Sequence, residues 1–267
     1  MAKLTIDSTL RMNSGYEIPV LGYGVDSAIA YGNEGPTAAA VKRSGIPREK
    51  VFFTSKIISK TMDYKIAKDQ IDGTLKTTGF DYIDLMLIHA PYGGREGRKG
   101  AWKALVEAQE EGKIRSLGIS NYGIPHLKEM EEYIKELEEE RGKGKGGVIS
   151  VGQWEVHPWL PRPDITEWCQ KRGVVVEAYA PVVRATRMED PLVVPLSQKY
   201  GKTPAQILLR WSLQKGYVPL PKSITPERIK ENAGLFDFEL TDSDMKSLET
   251  TEYAPVCWDP TKGSLEE

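Results

Sequence analysis

Short runs rich in β-branched and aromatic residues alternate with longer runs of helical periodicity along most of the chain. Few folds accept that order. The strand-like runs are Val51–Lys56, Ile83–His89, Ile114–Ser120, Ile149–Val156, Val174–Tyr179 and Val218–Pro221. Several are apolar on both faces, as parallel strands covered by helices must be. Between them, Pro36–Ser44 is Ala-rich with proline near its first turn. Tyr64–Thr77 repeats Ile66, Ile71 and Leu75 at helical spacing. Gly100–Glu111, Pro125–Glu140 and Pro163–Lys171 follow, and Thr203-Pro204-Ala205-Gln206 opens a helix running to Gln214. Thr225-Pro226-Glu227-Arg228 opens another, and Thr241-Asp242-Ser243-Asp244 caps a last one. Strict alternation predicts right-handed βαβ units and a parallel sheet, and the length suits one α/β domain over residues 1–267. Leu4–Ile6 and Leu10–Met12 flank Asp7-Ser8-Thr9, which predicts an N-terminal hairpin over 4–12, and 250–267 reads as a C-terminal tail.

Composition narrows the function classes. Net charge is −2, from 36 basic and 38 acidic residues, so nothing favours nucleic acid or an anionic membrane. No apolar run approaches the ~20 residues that span a bilayer, and Met1–Asp7 has no apolar signal core. Cys169 and Cys257 are the only cysteines, which makes no disulfide framework and predicts a reducing cytoplasm. No Cys/His cluster has metal-ligand spacing. The stretch Glu138–Gly147 looks superficially like a phosphate loop but lacks the Lys-Ser/Thr ending and a following helix, so it reads as a solvated linker.

Polar residues at strand ends carry the chemistry. Lys56 and His89 each close an apolar run, which predicts polar groups gathered at one mouth of the sheet. Asp26 and Tyr31 lie in Asp26-Ser27-Ala28-Ile29-Ala30-Tyr31-Gly32-Asn33-Glu34. Reducing a carbonyl requires a hydride on carbon and a proton on oxygen. A phenol is a weak acid with a reference pKa near ~10. A nearby ammonium lowers that value, an aspartate keeps the ammonium charged, and a histidine can orient the carbonyl oxygen.

These residues, in this order, resemble the aldo-keto reductase family, and the resemblance spans nearly the whole chain. It implies a TIM-type (β/α)8 barrel with Tyr31 as proton donor, Lys56 and Asp26 tuning it, and His89 orienting substrate. Gly118-Ile119-Ser120-Asn121-Tyr122 and Val151-Gly152-Gln153-Trp154 match the family's nicotinamide clamp, through Ser120, Asn121 and Gln153. Tyr179, in Glu177-Ala178-Tyr179-Ala180-Pro181, matches the aromatic that stacks on the nicotinamide ring. The run Leu220-Pro221-Lys222-Ser223-Ile224-Thr225-Pro226-Glu227-Arg228-Ile229-Lys230-Glu231-Asn232 takes a strand into a helix N-terminus suited to an anion. By resemblance, Lys222, Ser223, Ile224, Thr225 and Arg228 grip the 2′-phosphate of NADP(H), and Glu231 and Asn232 reach the adenine. No Gly-x-Gly-x-x-Gly follows a strand, so a Rossmann site is not indicated. Trp258 is a candidate wall of the substrate pocket.

Two departures from the family stand out. Many relatives have asparagine where Gly152 stands. More consequentially, Leu21-Gly22-Tyr23-Gly24-Val25 runs straight into Asp26, so the first barrel helix and most of a neighbouring strand are missing. A parallel crossover needs at least about a dozen residues. The barrel is therefore expected to be incomplete or rearranged around its first two strands, with Pro19–Ala30 replacing both and Leu21–Val25 in the second slot. The first slot is vacant, filled by the hairpin, or closed by a seven-stranded arrangement. Losing an outer helix exposes apolar surface worth very roughly 10 kcal/mol at ~25 cal/mol/Å², and self-association through the gap is one way to cover it. The function implied is NADPH-dependent reduction of small aldehydes or ketones. The alternative is a reductase-derived protein with a non-redox role, in ligand binding or a cyclisation-type reaction.

Overall fold

The computed structural model describes residues 4–22, 25–58, 60 and 62–266. It begins with a hairpin in which β1 (Thr9–Arg11) pairs antiparallel with β2 (Glu17–Pro19). Six parallel strands follow in chain order: β3 (Thr54–Ile57), β4 (Ile83–Ile88), β5 (Ile114–Ser120), β6 (Val151–Glu155), β7 (Val175–Tyr179) and β8 (Val218–Leu220). Each falls within or beside a run expected to be a strand. Helix α1 (Glu34–Ser44) precedes β3. Helices α2 (Tyr64–Thr78), α3 (Gly94–Glu110), α4 (Ile124–Arg141) and α5 (Pro163–Lys171) join successive strands. The short α6 (Val194–Tyr200), which the sequence did not signal, and α7 (Pro204–Gln214) join β7 to β8. The chain ends with α8 (Pro226–Ala233) and α9 (Asp242–Ser247).

Local chemistry sets these boundaries. The Asp63 side chain accepts from the Ile66 N–H at 2.7 Å and starts α2, which Gly79 ends in the left-handed region. Thr203 and Gln206 cap α7 reciprocally. Helix α3 begins well before the expected Gly100. Gly97 and Gly100 within it are close approaches rather than breaks: a Cβ would lie 2.3 Å from the Met62 carbonyl oxygen at Gly97 and 2.8 Å from the Tyr64 nitrogen at Gly100.

Side chains alternate along each strand. In β4, Met86 and Ile88 join the large cluster under the helices, while Leu85 and Leu87 meet Val151 and Val218 inside. The hairpin supplies Met12 and Ile18 to that inner cluster. Its turn is fixed by Asn13 Nδ2 donating to the Ile149 carbonyl at 2.9 Å and by Ser14 Oγ, 2.8 Å from Ser116 Oγ. Both contacts lie toward the N-terminal ends of β5 and β6, so the hairpin plugs that end. The expected hairpin over 4–12 is thus corrected to strands at 9–11 and 17–19, because Ile18 and Met12 are the residues that fit the barrel floor.

The missing unit shapes the closure. The Gly22 N–H reaches the Pro219 carbonyl of β8 at 3.2 Å. A few residues later, Thr54 N–H donates to Val25 O at 3.1 Å and Ser27 N–H to Thr54 O at 2.8 Å, making Asp26 and Thr54 an isolated parallel bridge. One irregular segment therefore touches both flanking strands. The expected strand Leu21–Val25 in the second slot is corrected accordingly: Gly22 sides with β8, Val25–Ser27 with β3, and Tyr23 and Gly24 lie outside the described residues. There is too little chain here to make two strands and a crossover. A cavity of about 450 Å³ remains in this wall, lined by Leu21, Val25, Val41, Phe52 and Leu220 and reaching Asp26 and Glu177.

Candidate active site

Lys56 points inward from β3 and is fully buried. Its Nζ lies 2.7 Å from both Asp26 carboxylate oxygens and 3.1 Å from the Ser27 carbonyl. Burial opposes the ammonium most strongly, but the Asp26 charge and hydrogen bond, with Tyr31 and Glu177, together outweigh it and the Lys56 pKa rises above its usual value. The bridge to Thr54 is what holds Asp26 here.

Tyr31 ends a 3-10 turn, Ile29–Tyr31, just before α1. Its hydroxyl lies 3.2 Å from His89 Nε2, and its ring centre is 5.2 Å from Lys56 Nζ. Burial raises the Tyr31 pKa more than the ammonium lowers it, and the phenol ends above its ordinary range. This corrects the expectation that Lys56 makes Tyr31 a stronger acid in the free protein. His89 is pushed down to about 4, first by burial and then by Lys56, so its ring is neutral near pH 7. The four residues the sequence singled out thus meet in one place.

Ser120 and Asn121 follow at the end of β5. Ser120 Oγ donates to the Gln153 carbonyl at 2.8 Å. Asn121 takes a left-handed φ of 63°, which asparagine tolerates, and its Nδ2 donates to Ser120 Oγ and the His89 carbonyl, each at 3.0 Å. The Tyr179 hydroxyl donates to Asn121 Oδ1 at 2.8 Å. Gln153 faces inward, where its Nε2 donates to Glu177 Oε2 at 2.8 Å and Asp26 Oδ1 at 3.0 Å. On the opposite face of β6, a Cβ on Gly152 would meet the Trp154 ring at 2.1 Å, which explains why asparagine does not stand there.

The Lys222–Asn232 run forms a separate cluster after β8. Lys222, Ile224 and Arg228 are exposed, and among the described residues Lys222 and Arg228 make no ion pair. Ser223 Oγ accepts from the Thr225 N–H at 3.2 Å, shaping the turn into α8. Glu231 is held by Thr203 Oγ1 at 2.6 Å, and Asn232 is buried. Among the described residues, no hydrogen bond or ion pair joins Lys222 or Arg228 to the Tyr31–Lys56 group.

The C-terminal segment is docked over the strand ends rather than free. Glu155 accepts from the Val256 and Cys257 N–H groups at 2.7 and 3.0 Å, and Arg162 pairs with Asp259 at 2.9 Å. That docking holds Trp258, half exposed, with its ring centre 6.3 Å from His89 and its Nε1 3.0 Å from the Tyr92 hydroxyl. Tyr31, His89, Tyr92 and Trp258 therefore border one opening.

Sequence reasoning missed Tyr92, Glu155 and Glu177. Glu177 had a signal, being a lone carboxylate within the apolar run Val174–Tyr179. Val183, Arg184 and Ala185 all take left-handed φ in the loop after β7, and those residue types gave no warning of it. Among the described residues, no helix is long and apolar enough to cross a membrane, and no group of acidic, His or Cys side chains is arranged to hold a metal ion.

Known proteins resemble this chain in sequence and fold. Residues 22–252 match the model of the aldo/keto reductase family. A glyoxal reductase of Bacillus subtilis is 32% identical over 269 residues, covering 92% of this chain and 93% of that protein. An uncharacterised oxidoreductase of Schizosaccharomyces pombe is 34% identical over 270 residues, covering 91% of this chain and 93% of the other. The crystal structure of an aldo-keto reductase enzyme from a deep-sea metagenome library of the Medee basin superposes with a TM-score of 0.85 at 30% identity, covering 96% of this chain and 99% of that one. An aldo/keto reductase structure from Brucella melitensis gives 0.82 at 32% identity, covering 90% and 98%. A barrel of parallel strands, these residues at its mouth and these relatives agree: the chain belongs to the aldo/keto reductase family of oxidoreductases, which generally use a nicotinamide cofactor.

Proposed function

We propose that the protein reduces small aldehydes or ketones to alcohols with NADPH. The observation that carries this reading is the meeting of the Tyr31 hydroxyl, neutral His89 and the Lys56–Asp26 pair at one opening. Residues suited to the cofactor stand at the strand ends and in the loop after β8. Asn121 and Gln153 offer amides at the strand ends, and among the described residues Lys222 and Arg228 stand without an ion pair near the start of α8, where anions are favoured. When bound, NADPH supplies the hydride to the carbonyl carbon.

The protein's own residues handle the oxygen. His89 Nε2 and the Tyr31 hydroxyl, 3.2 Å apart, bracket the position of a carbonyl oxygen. Tyr31 gives that oxygen its proton, and the adjacent ammonium stabilises the phenolate left behind. Asp26 keeps the ammonium charged throughout. Trp258 and Tyr92 wall the opening on the far side, which favours aromatic or apolar substituents on the carbonyl. The reduction activity named for the Bacillus relative supports a carbonyl substrate of small size.

A second reading is ligand binding without redox turnover, and the cavity between β8 and β3 favours it. That gap lies beside the segment that carries Asp26. A misplacement of ~1 Å can cost a hundredfold in rate. Titrating the protein with NADPH by fluorescence quenching, followed by turnover of an aromatic aldehyde, separates the readings. Binding with turnover supports the reductase. Binding without turnover supports the second reading, and absence of binding removes the first.

A further inference from the structure

We propose that Glu177 is a positioning residue that fixes the Gln153 amide so that its oxygen, and not its nitrogen, is offered to the carboxamide of the nicotinamide. The inference rests on Gln153 belonging to the cofactor clamp. Gln153 lies in register with Ser120 of β5 on one side and Glu177 of β7 on the other. Its Nε2 donates to Glu177 Oε2 at 2.8 Å and to Asp26 Oδ1 at 3.0 Å. An amide nitrogen carries two hydrogens, and two carboxylate oxygens take both. Above about pH 7, where Glu177 is ionised, a flipped amide would set its oxygen against two anionic oxygens, so the amide takes one orientation there. Gln153 Oε1 accepts no hydrogen bond from the described residues, which leaves it for an N–H donor such as the carboxamide.

Asp26 alone holds the amide less firmly, because its Oδ1 also accepts from Lys56. Glu177 has no such second duty. It is 3% exposed, sits between Val176 and Ala178, and among the described residues receives a hydrogen bond from Gln153 alone. A buried carboxylate is costly, and burial followed by the nearby Asp26 charge raises the Glu177 pKa to about 7. An apolar side chain would fill the same place on β7 at lower cost. What the carboxylate adds is direction for its one hydrogen-bond partner, beside a lesser charge interaction with Lys56.

The test uses the full chain, with Glu177→Leu removing the acceptor and Glu177→Gln retaining a neutral one. Affinities are read by fluorescence quenching for NADPH and for its reduced 3-acetylpyridine analogue, whose acetyl group has no N–H. Adenosine 2′,5′-bisphosphate, read by competition, reports the adenine end. The unmodified protein should prefer NADPH over the analogue by about tenfold, the worth of one hydrogen bond. Glu177→Leu should reduce that preference to within about twofold and leave bisphosphate affinity unchanged, and Glu177→Gln should restore part of it. Retention of the full preference in Glu177→Leu overturns the inference alone. Equal loss for all three ligands also overturns it, by showing general damage. Failure of the unmodified protein to bind NADPH overturns the cofactor reading itself, and the inference with it.

Discussion

Replacing Asp26 with asparagine keeps the side chain's shape and removes the charge that faces a buried ammonium. Lys56 has no solvent exposure, and the Asp26 side chain is 27% exposed. Deleting one partner of a buried pair costs about 3–5 kcal/mol. The partial exposure of Asp26 puts this case at the low end, about 3 kcal/mol. For a chain near this size each kcal/mol moves Tm by roughly 2–4 °C, so Asp26→Asn should lower Tm by roughly 6–12 °C at neutral pH, measured by calorimetry. The pH dependence identifies the cause. In the native protein the Lys56 pKa is raised, so its stabilisation is complete below the unfolded value of ~10.4 and is lost as pH rises through the folded one. In the variant burial prevails, and Tyr31 and Glu177 are left to favour the ammonium. The folded pKa then drops below the unfolded value, the unfolded chain binds more protons between the two, and the variant's stability rises with pH. The deficit should therefore be largest near pH ~6 and shrink toward pH ~10. A Tm within about 2 °C of the unmodified protein at neutral pH, or a deficit constant across that range, would refute the assignment of Asp26 as the charge that holds Lys56.

Tyr31→Phe should abolish aldehyde reduction while leaving NADPH affinity nearly unchanged, and full steady-state activity in that variant would remove Tyr31 from the mechanism. His89, with a folded pKa of about 4, should show no titration between pH ~5 and ~8 when its ring protons are followed by NMR. Because that pKa lies below the unfolded value, His89 stabilises the fold fully above pH ~6.5, and the contribution should be lost as pH falls toward ~4; an NMR midpoint near ~6.5 would contradict this. The double change Lys222→Ala with Arg228→Ala should erase most of the preference for NADPH over NADH, each lost charge-assisted contact being worth about 1.5–3 kcal/mol. Equal affinity for both cofactors in the unmodified protein would count against these two residues as the phosphate grip.

Much of this protein follows from residue order. Apolar runs of strand length separated by amphipathic runs leave little choice but a parallel sheet under helices. Strand boundaries and the caps at Asp63, Thr203 and Thr241 depend on neighbours in sequence. Lys56 and His89 were visible because a polar residue that closes a buried strand points to a mouth. Glu177 was equally visible in kind, but its role was not, since that depends on Gln153 being placed beside it by strand register.

What sequence could not supply was the outcome of competition between groups far apart in the chain. Whether the Lys56 ammonium or burial governs the Tyr31 pKa depends on how deeply the phenol is enclosed, which no spacing encodes. The hairpin's register was set by which apolar residues fill the barrel floor. The closure around the missing unit was decided where Gly22 reaches Pro219 while Asp26 reaches Thr54. The sequence by itself determined the parallel sheet under helices, because periodicity is local, and its motifs, through their family resemblance, pointed to a barrel and the residues at its mouth. The tertiary structure alone decided how the wall closes and which charge prevails, because backbone pairing and desolvation are properties of the packed molecule.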